Sequence, residues 1–286
     1  MFRHTTAHRS HKLVAETEWA TLQVPTHLDR MTENHPANAS RWIELRTVLD
    51  AGAGDRLRRL RILAGSWGED ARMLLVGARA IMLANASTVA FCVVAGIVFV
   101  FWTMTHDLDW LASIRDQGPL NNREQLRTAA RFLSYWGDFA GFNMLVFGAL
   151  CSFAFVRRSP FFRRMTIAAV LATCLAGGVA NLVRVTSGRA RPGSHLAPGF
   201  YGPSLSAKKH SFPSAHTATA FGASVPVAVA FPPAGVPMLA VSGAVAWSRL
   251  ENNCHHPSDV LASVMLSCLL GIPLGLAIRR SHRVNL

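Results

Sequence analysis

Three short polar clusters interrupt the apolar sequence between residues 184 and 259, and their residue types suit phosphate chemistry. They are Arg184-Val-Thr-Ser-Gly-Arg-Ala-Arg191-Pro192, then Phe212-Pro213-Ser214-Ala215-His216, then Ser248-Arg249 followed by His255 and Asp259. Arginines, histidines and a carboxylate are energetically unfavourable at the edges of apolar segments, so their presence there indicates a function. We therefore expect the three clusters to meet in space.

The arginines of these clusters match the needs of phosphoryl transfer. The transferred group spreads negative charge over its equatorial oxygens, so positioning and cationic stabilisation dominate catalysis. Arg184, Arg191 and Arg249 can donate charge-assisted hydrogen bonds to those oxygens. Pro213 suits the first turn of a helix. Ser214 and the backbone N–H of Ala215 would then lie at a helix N-terminus, which is a natural anion site.

The third cluster supplies a candidate nucleophile. His255 and Asp259 are four residues apart, a spacing that predicts one helix face, and Pro257 suits the start of that helix. Asp259 can bind one ring nitrogen of His255 and leave the other free to attack.

The composition indicates a membrane protein. Half of the 286 residues are hydrophobic and only 16% are charged, below the roughly 25% of soluble domains. The net charge of +13 comes mostly from arginines that flank apolar runs. This placement is typical of cytoplasmic loops and anionic lipid headgroups, so we do not expect a nucleic-acid partner. The five cysteines show no CxxC spacing, and no disulfide framework or zinc site is expected.

The pattern predicts an all-α polytopic protein with six transmembrane helices. Predicted single spans cover residues 81–104, about 132–156, 165–183 and 260–278. The uncharged stretch 217–248 has 32 residues, about 48 Å as one helix, which exceeds the bilayer core. Its Phe-Pro-Pro-Ala-Gly run at 231–235 cannot continue a helix. We therefore predict two antiparallel spans there.

Arginine placement predicts the orientation. The N-terminal flank, the 157–164 loop and the 279–283 tail are rich in arginine, so both termini are expected in the cytoplasm. The polar clusters then lie on the external face. Residues 1–76 are expected to form a partly disordered cytoplasmic extension, and 77–286 the membrane domain. The segment 55–63 fits an interfacial amphipathic helix and a solvated helix equally well.

The three clusters resemble the motifs of the type 2 phosphatidic acid phosphatase (PAP2) superfamily. That superfamily includes bacterial lipid phosphatases, glucose-6-phosphatase and vanadium haloperoxidases, and its motifs are K-x6-R-P, P-S-G-H and S-R-x5-H-x3-D. Here they are Arg184-x6-Arg191-Pro192, Pro213-Ser214-Ala215-His216 and Ser248-Arg249-x5-His255-x3-Asp259. Two positions depart from the pattern. Arg184 replaces the usual lysine and keeps the charge in a planar fork, and Ala215 replaces glycine and keeps its backbone N–H.

The resemblance implies a PAP2-like helical bundle and a mechanism. His255 would attack phosphorus to form a phosphohistidine, and His216 would protonate the leaving alkoxide and then activate water. The resemblance implies no metal and no cofactor.

The implied function is a lipid phosphatase in the bilayer, expected in a bacterial inner membrane with its site facing the periplasm. Undecaprenyl diphosphate, phosphatidic acid, phosphatidylglycerophosphate and lipid A phosphates all remain open as substrates, as does the oligomeric state. Two alternatives stay open. One is a lipid phosphotransferase with the same chemistry, and the other is a non-catalytic lipid-binding protein.

Overall fold

The computed structural model describes residues 65–116, 123–136 and 139–283, and this part of the chain is helical apart from turns and loops. These residues belong to the compact unit Leu63–Leu286. The all-α prediction is confirmed. The possible interfacial helix at 55–63 lies outside the described residues.

Nine α-helices and one π-helical turn form the described part of the chain. They are α1 (65–84), α2 (Ala86–Met104), α3 (Asp107–Asp116), α4 (Arg123–Trp136), the π-helical turn (Phe139–Asn143), α5 (Met144–Arg157), α6 (Pro160–Ser187), α7 (Ala215–Ala230), α8 (Pro232–Glu251) and α9 (Pro257–Arg283).

Three of these helices are long and apolar enough to cross a bilayer, as judged from length and composition. They are α2, α6 and the segment Pro257–His282 of α9. Large side chains such as Phe91, Val98 and Phe101 of α2 are exposed, as expected of a surface that faces lipid rather than water. The apolar segment Gly141–Arg157 is shorter. The count of six spans therefore stays a prediction.

The predicted second span, 132–156, is wrong as one continuous helix. Its first residues belong to α4, and the π-helical turn separates α4 from α5. Charged residues recur along α4, including Glu124, Arg127 and Arg131, and this pattern is typical of a helix with one polar face. The residues of the π-helical turn, Phe-Ala-Gly-Phe-Asn, include no charge or proline that would mark it in the sequence.

Helix α1 is built into the helical unit, and the predicted boundary at residue 76 falls within it. Leu74, Ala78 and Ile81 are buried in the largest hydrophobic cluster. The buried carboxylate of Asp70 accepts hydrogen bonds from Nε of Arg163 at 2.6 Å and from Nε of Arg164 at 3.0 Å. These bonds fix α1 to the first turns of α6.

Helix α7 lies at the centre and packs against α6, α8 and α9. Small residues allow this close approach: a Cβ on Gly222 would lie 2.9 Å from Cα of Thr173 in α6. Two hydroxyls of α9 donate to α7 carbonyls, Ser263 to Ser214 and Ser267 to Ala218, each at 2.9 Å. Small residues and hydroxyl bonds of this kind hold helices together in membranes.

The predicted turn between two antiparallel helices is confirmed at Phe231. Helix α7 ends at Ala230 and α8 begins at Pro232. The missing N–H of proline costs no helical hydrogen bond there, because N–H groups of the first turn have no acceptor within the helix. Gly235 lies against the end of α7, and a Cβ there would come within 2.0 Å of Cα of Ala228. The turn is tight because glycine occupies this position.

We expect Gly235→Ala to destabilise the protein and Gly243→Ala not to. Both glycines lie in α8, but a Cβ on Gly243 would meet nothing within 4 Å. Overpacking against backbone at Gly235 should lower the free energy of unfolding by about 1–3 kcal/mol, whereas alanine at Gly243 should be neutral or add up to about 1 kcal/mol. Denaturant titration in detergent measures both. Equal stability of the two variants would contradict this packing.

Candidate active site

The first cluster begins in the last turn of α6 and continues into a tightly folded loop. Arg184 is helical, and Gly188 ends the helix with a left-handed φ of 61°. A Cβ on Gly188 would lie 1.8 Å from the carbonyl oxygen of Gly202, so only glycine fits. This turn directs Arg189 and Arg191 back across the end of the bundle.

The second cluster forms the N-terminus of α7. Ser214 is the N-cap, and its hydroxyl accepts hydrogen bonds from the Thr217 N–H at 3.5 Å and the Thr217 hydroxyl at 3.0 Å. Ala215 is the first helical residue and His216 the second. The prediction for Pro213 was wrong, because it precedes the N-cap, after a cis peptide bond, and does not lie in the first turn.

The third cluster joins α8 to α9. Arg249 lies in the last turn of α8, and α9 begins at Pro257 as predicted. His255 lies in the loop two residues before that start. The prediction that His255 and Asp259 share a helix face was therefore wrong. The loop includes Asn253 with a left-handed φ of 57°, a conformation that asparagine tolerates better than most residues.

His255 is buried and held by a backbone carbonyl. Its Nδ1 lies 2.7 Å from the carbonyl oxygen of Ser211. A carbonyl can only accept, so Nδ1 carries the proton and Nε2 keeps its lone pair. The carboxylate of Asp259 lies 3.8 Å from the same nitrogen, too far for a hydrogen bond. The direct orienting bond expected from Asp259 is thus replaced by the bond to Ser211.

The surroundings of His255 favour its neutral form. Burial lowers the pKa of this imidazole from 6.5, and the positive charges of Arg249 and Arg191 lower it further, whereas Asp259 opposes the shift. Charges shift a pKa in this way when they lie near the group. The structure therefore brings residues of the first and third clusters together around His255.

Asp259 is a fully buried acceptor at the junction of the three clusters. Its Oδ2 accepts from the Ser211 hydroxyl at 2.6 Å and the His256 N–H at 2.7 Å. Its Oδ1 accepts from Nη1 of Arg189 at 2.5 Å. Carboxylates with several charged or backbone donors of this kind remain ionised.

Arg189 and Asp107 belong to this arrangement although the sequence did not single them out. Arg189 Nη2 donates to Asp107 at 2.6 Å, and Nη1 also donates to the Ser258 hydroxyl at 2.7 Å. Asp107 in turn accepts the Ser258 N–H at 2.9 Å. All three residues are buried. The sequence signal for Arg189 was its position inside the first motif. Nothing in the sequence distinguishes Asp107 from the polar residues around it.

The three arginines that were predicted to bind phosphate differ in what they contact. Nε of Arg184 is buried and finds no acceptor within the described part of the chain. Nε of Arg191 donates to the His210 carbonyl at 3.3 Å, and Nη1 of Arg249 donates to the Ser134 hydroxyl. Arg191 is close enough to Arg184 for mutual repulsion. Cations that are gathered in this way favour an anion between them.

Cationic side chains near a buried histidine, in the loops at one end of a helical bundle, are an arrangement that suits a phosphate group. Residues 165–283 match the model of the PAP2 superfamily, so this part of the chain is similar to that superfamily. The matched region contains all three clusters.

Two individual proteins resemble the chain. The lipid A 1-phosphatase of Porphyromonas gingivalis is 30% identical over 123 residues, which are 42% of this chain and 25% of that protein. The chain therefore matches about a quarter of the length of this relative. A crystal structure of LpxE from Aquifex aeolicus aligns with a TM-score of 0.43 and 17% identity, covering 59% of this chain and 94% of the other. Three helices long and apolar enough to cross a bilayer, together with the match to the PAP2 model, indicate an integral membrane protein.

We expect Arg189→Met to destabilise the protein strongly, because it leaves two buried carboxylates without their shared cation. Loss of one partner from a buried ion pair costs about 3–5 kcal/mol. Adding Asp107→Asn should recover part of this loss, since one buried charge then disappears. The free energies of unfolding in detergent of the wild type, the two single variants and the double variant form a double-mutant cycle that measures the coupling. The exposed Arg79→Met is a control that should change stability by less than about 0.5 kcal/mol. Simple additivity would show that Asp107 and Arg189 are not coupled.

Proposed function

We propose that the chain is a metal-independent lipid phosphatase that works through a phosphohistidine at His255. The observation that carries this proposal is the bond from His255 Nδ1 to the Ser211 carbonyl at 2.7 Å. It fixes the tautomer in which Nε2 is unprotonated, and only an unprotonated nitrogen can attack phosphorus. The depressed pKa of the same ring supports this role.

In the first step, Arg184, Arg191 and Arg249 bind the non-bridging oxygens of the substrate phosphate. Nε2 of His255 attacks phosphorus in line with the leaving alkoxide, and the P–O bond to the lipid breaks. The leaving oxygen takes its proton from His216. Cationic stabilisation of the equatorial oxygens accounts for most of the rate, as in other phosphoryl transfers.

In the second step, water attacks the phosphohistidine and His216, now neutral, accepts its proton. The P–N bond breaks, inorganic phosphate leaves and His255 returns to its neutral form. While the ring carries the phosphoryl group it is positive. The Ser211 carbonyl and the Asp259 carboxylate at 3.8 Å stabilise that charge, and Arg189 keeps the carboxylate in place.

A lipid substrate is supported by a large apolar cavity of about 840 Å³ that α2 and α9 line. Ser187, Phe200 and Phe212 also line it, so the cavity reaches residues of the first two clusters and of the loop between them. Among the phosphorylated lipids that suit such a site, we give first place to lipid A phosphate, because the similar protein of Porphyromonas gingivalis is a lipid A 1-phosphatase. The site is proposed to face the periplasm of a bacterial inner membrane, with both termini in the cytoplasm.

His255→Ala should abolish release of inorganic phosphate from lipid substrates. Loss of a nucleophile should lower kcat by more than about 1,000-fold, and EDTA should not inhibit the wild-type protein. Purified protein in detergent, lipid A and phosphatidic acid suffice for the assay, and His282→Ala, at the exposed far end of α9, is the control.

Two results would contradict this function. Unchanged phosphate release by His255→Ala would remove the assigned nucleophile. Transfer of labelled phosphate from the donor lipid to a second lipid, with little free phosphate, would identify a phosphotransferase.

The acid limb of kcat/KM against pH should lie below 6.5. Protonation of His255 removes the attacking lone pair, and burial lowers the pKa of this group from 6.5, so the enzyme should stay active at a lower pH than an exposed histidine would allow. Asp259 acts to raise this pKa. Asp259→Asn should therefore move the acid limb to still lower pH while kcat falls about 100-fold. An acid limb that moved upward would contradict the assignment.

A further inference from the structure

A second, smaller cavity lies beside the phosphate ligands and is more polar than the lipid cavity. Its volume is about 240 Å³, and its polar lining residues are Arg115, Arg191, Asn253 and His256. Arg191 is also one of the proposed phosphate ligands, so the cavity borders the proposed catalytic site. The proposed mechanism gives no task to Arg115 or to this space.

One face of α3 forms the outer wall of this cavity. Residues 108, 111, 112 and 115 line it, and this spacing places them on one side of a helix. The first residue of α3 is Asp107, which is bonded to Arg189 and Ser258. Eight residues, or about 12 Å of helix axis, separate Asp107 from Arg115. The ion pair that holds Asp259 therefore also positions Arg115.

The charges around the cavity favour an anion. Nε of Arg115 is buried and has no acceptor among the residues that the structure describes, and a buried N–H without an acceptor is unfavourable. None of the described residues that line the cavity is Asp or Glu. Two guanidinium groups therefore border a space in which no lining carboxylate balances them.

The size of the cavity limits what it can hold. Sites for whole drug-sized ligands occupy about 300–1,000 Å³, and 240 Å³ suits a group the size of a phosphate with a short connection. We propose that this cavity is a subsite for a second anionic group of the lipid substrate, bound by Arg115 together with Arg191. This inference rests on the proposed function and specifies its substrate class, a lipid with a second phosphate near the one that is removed; for lipid A this means a diphosphate at the reacting position.

Matched lipids test the subsite. Phosphatidic acid has one phosphate, diacylglycerol pyrophosphate has a second one attached directly, and phosphatidylglycerophosphate has a second one across a glycerol. Arg115→Ala should lower kcat/KM for at least one of the two doubly phosphorylated lipids by about 10- to 100-fold, as expected for a lost charged hydrogen bond. Its effect on phosphatidic acid should stay within about threefold. The lipid that is affected identifies the distance between the two anions.

Control variants separate charge from folding. Arg115→Lys should recover part of the loss, because it restores the charge without the planar fork. Arg127→Ala, an exposed arginine of α4 that does not line the cavity, should change none of the three rates. Equal losses on all three lipids, or no loss on any, would overturn the subsite.

A binding measurement keeps the subsite separate from catalysis. Wild-type protein in detergent should bind methylenediphosphonate more tightly than inorganic phosphate, and Arg115→Ala should remove this preference. If this result is obtained while no lipid releases phosphate, the subsite stands and the proposed function fails. Equal affinity of the wild-type protein for the two anions, together with unchanged hydrolysis of phosphatidylglycerophosphate by Arg115→Ala, would overturn the subsite.

Discussion

The buried guanidinium of Arg189, held between Asp107 and Asp259, is the interaction on which the geometry of the site depends. It joins residues that are 82 and 70 positions apart in the chain and so connects α3, the loop after α6 and α9. Such buried ion pairs add little net stability, because desolvation offsets most of the attraction. Their geometry is nevertheless strict, since any displacement leaves a charge without its partner. Arg189 therefore contributes mainly by fixing positions.

The packing of α7 complements this ion pair. In a bilayer the hydrophobic effect does not drive helices together, so contact depends on small residues and on hydroxyl bonds between helices. Gly222 supplies the first against α6, and Ser263 and Ser267 of α9 supply the second. Because Ser263 donates to the carbonyl of the N-cap Ser214, the packing of two membrane helices also sets the position of the α7 N-terminus, the proposed anion site.

The sequence was informative where the signal is local. Proline marks the starts of α8 and α9, and the motif spacings identified residues that the fold gathers around His255. Pairing between distant positions left no such signal, because Asp107 looks like any other polar residue until the chain folds. The carbonyl of Ser211 could not be found either, because every residue has one. The π-helical turn before α5 was missed because its residues include no charge or proline that would mark it.

Under the proposed function, the two cavities would recognise different parts of the lipid substrate. An acyl chain that moves from the bilayer into the 840 Å³ cavity leaves one apolar environment for another, so its transfer contributes little affinity. That cavity can orient the substrate but discriminates poorly between lipids, since all of them carry similar chains. Discrimination must then arise at the headgroup, where desolvated charges interact strongly. Arg115 borders that region from a helix outside residues 165–283, the part that matches the PAP2 model, so substrate choice can change there while the catalytic clusters stay the same.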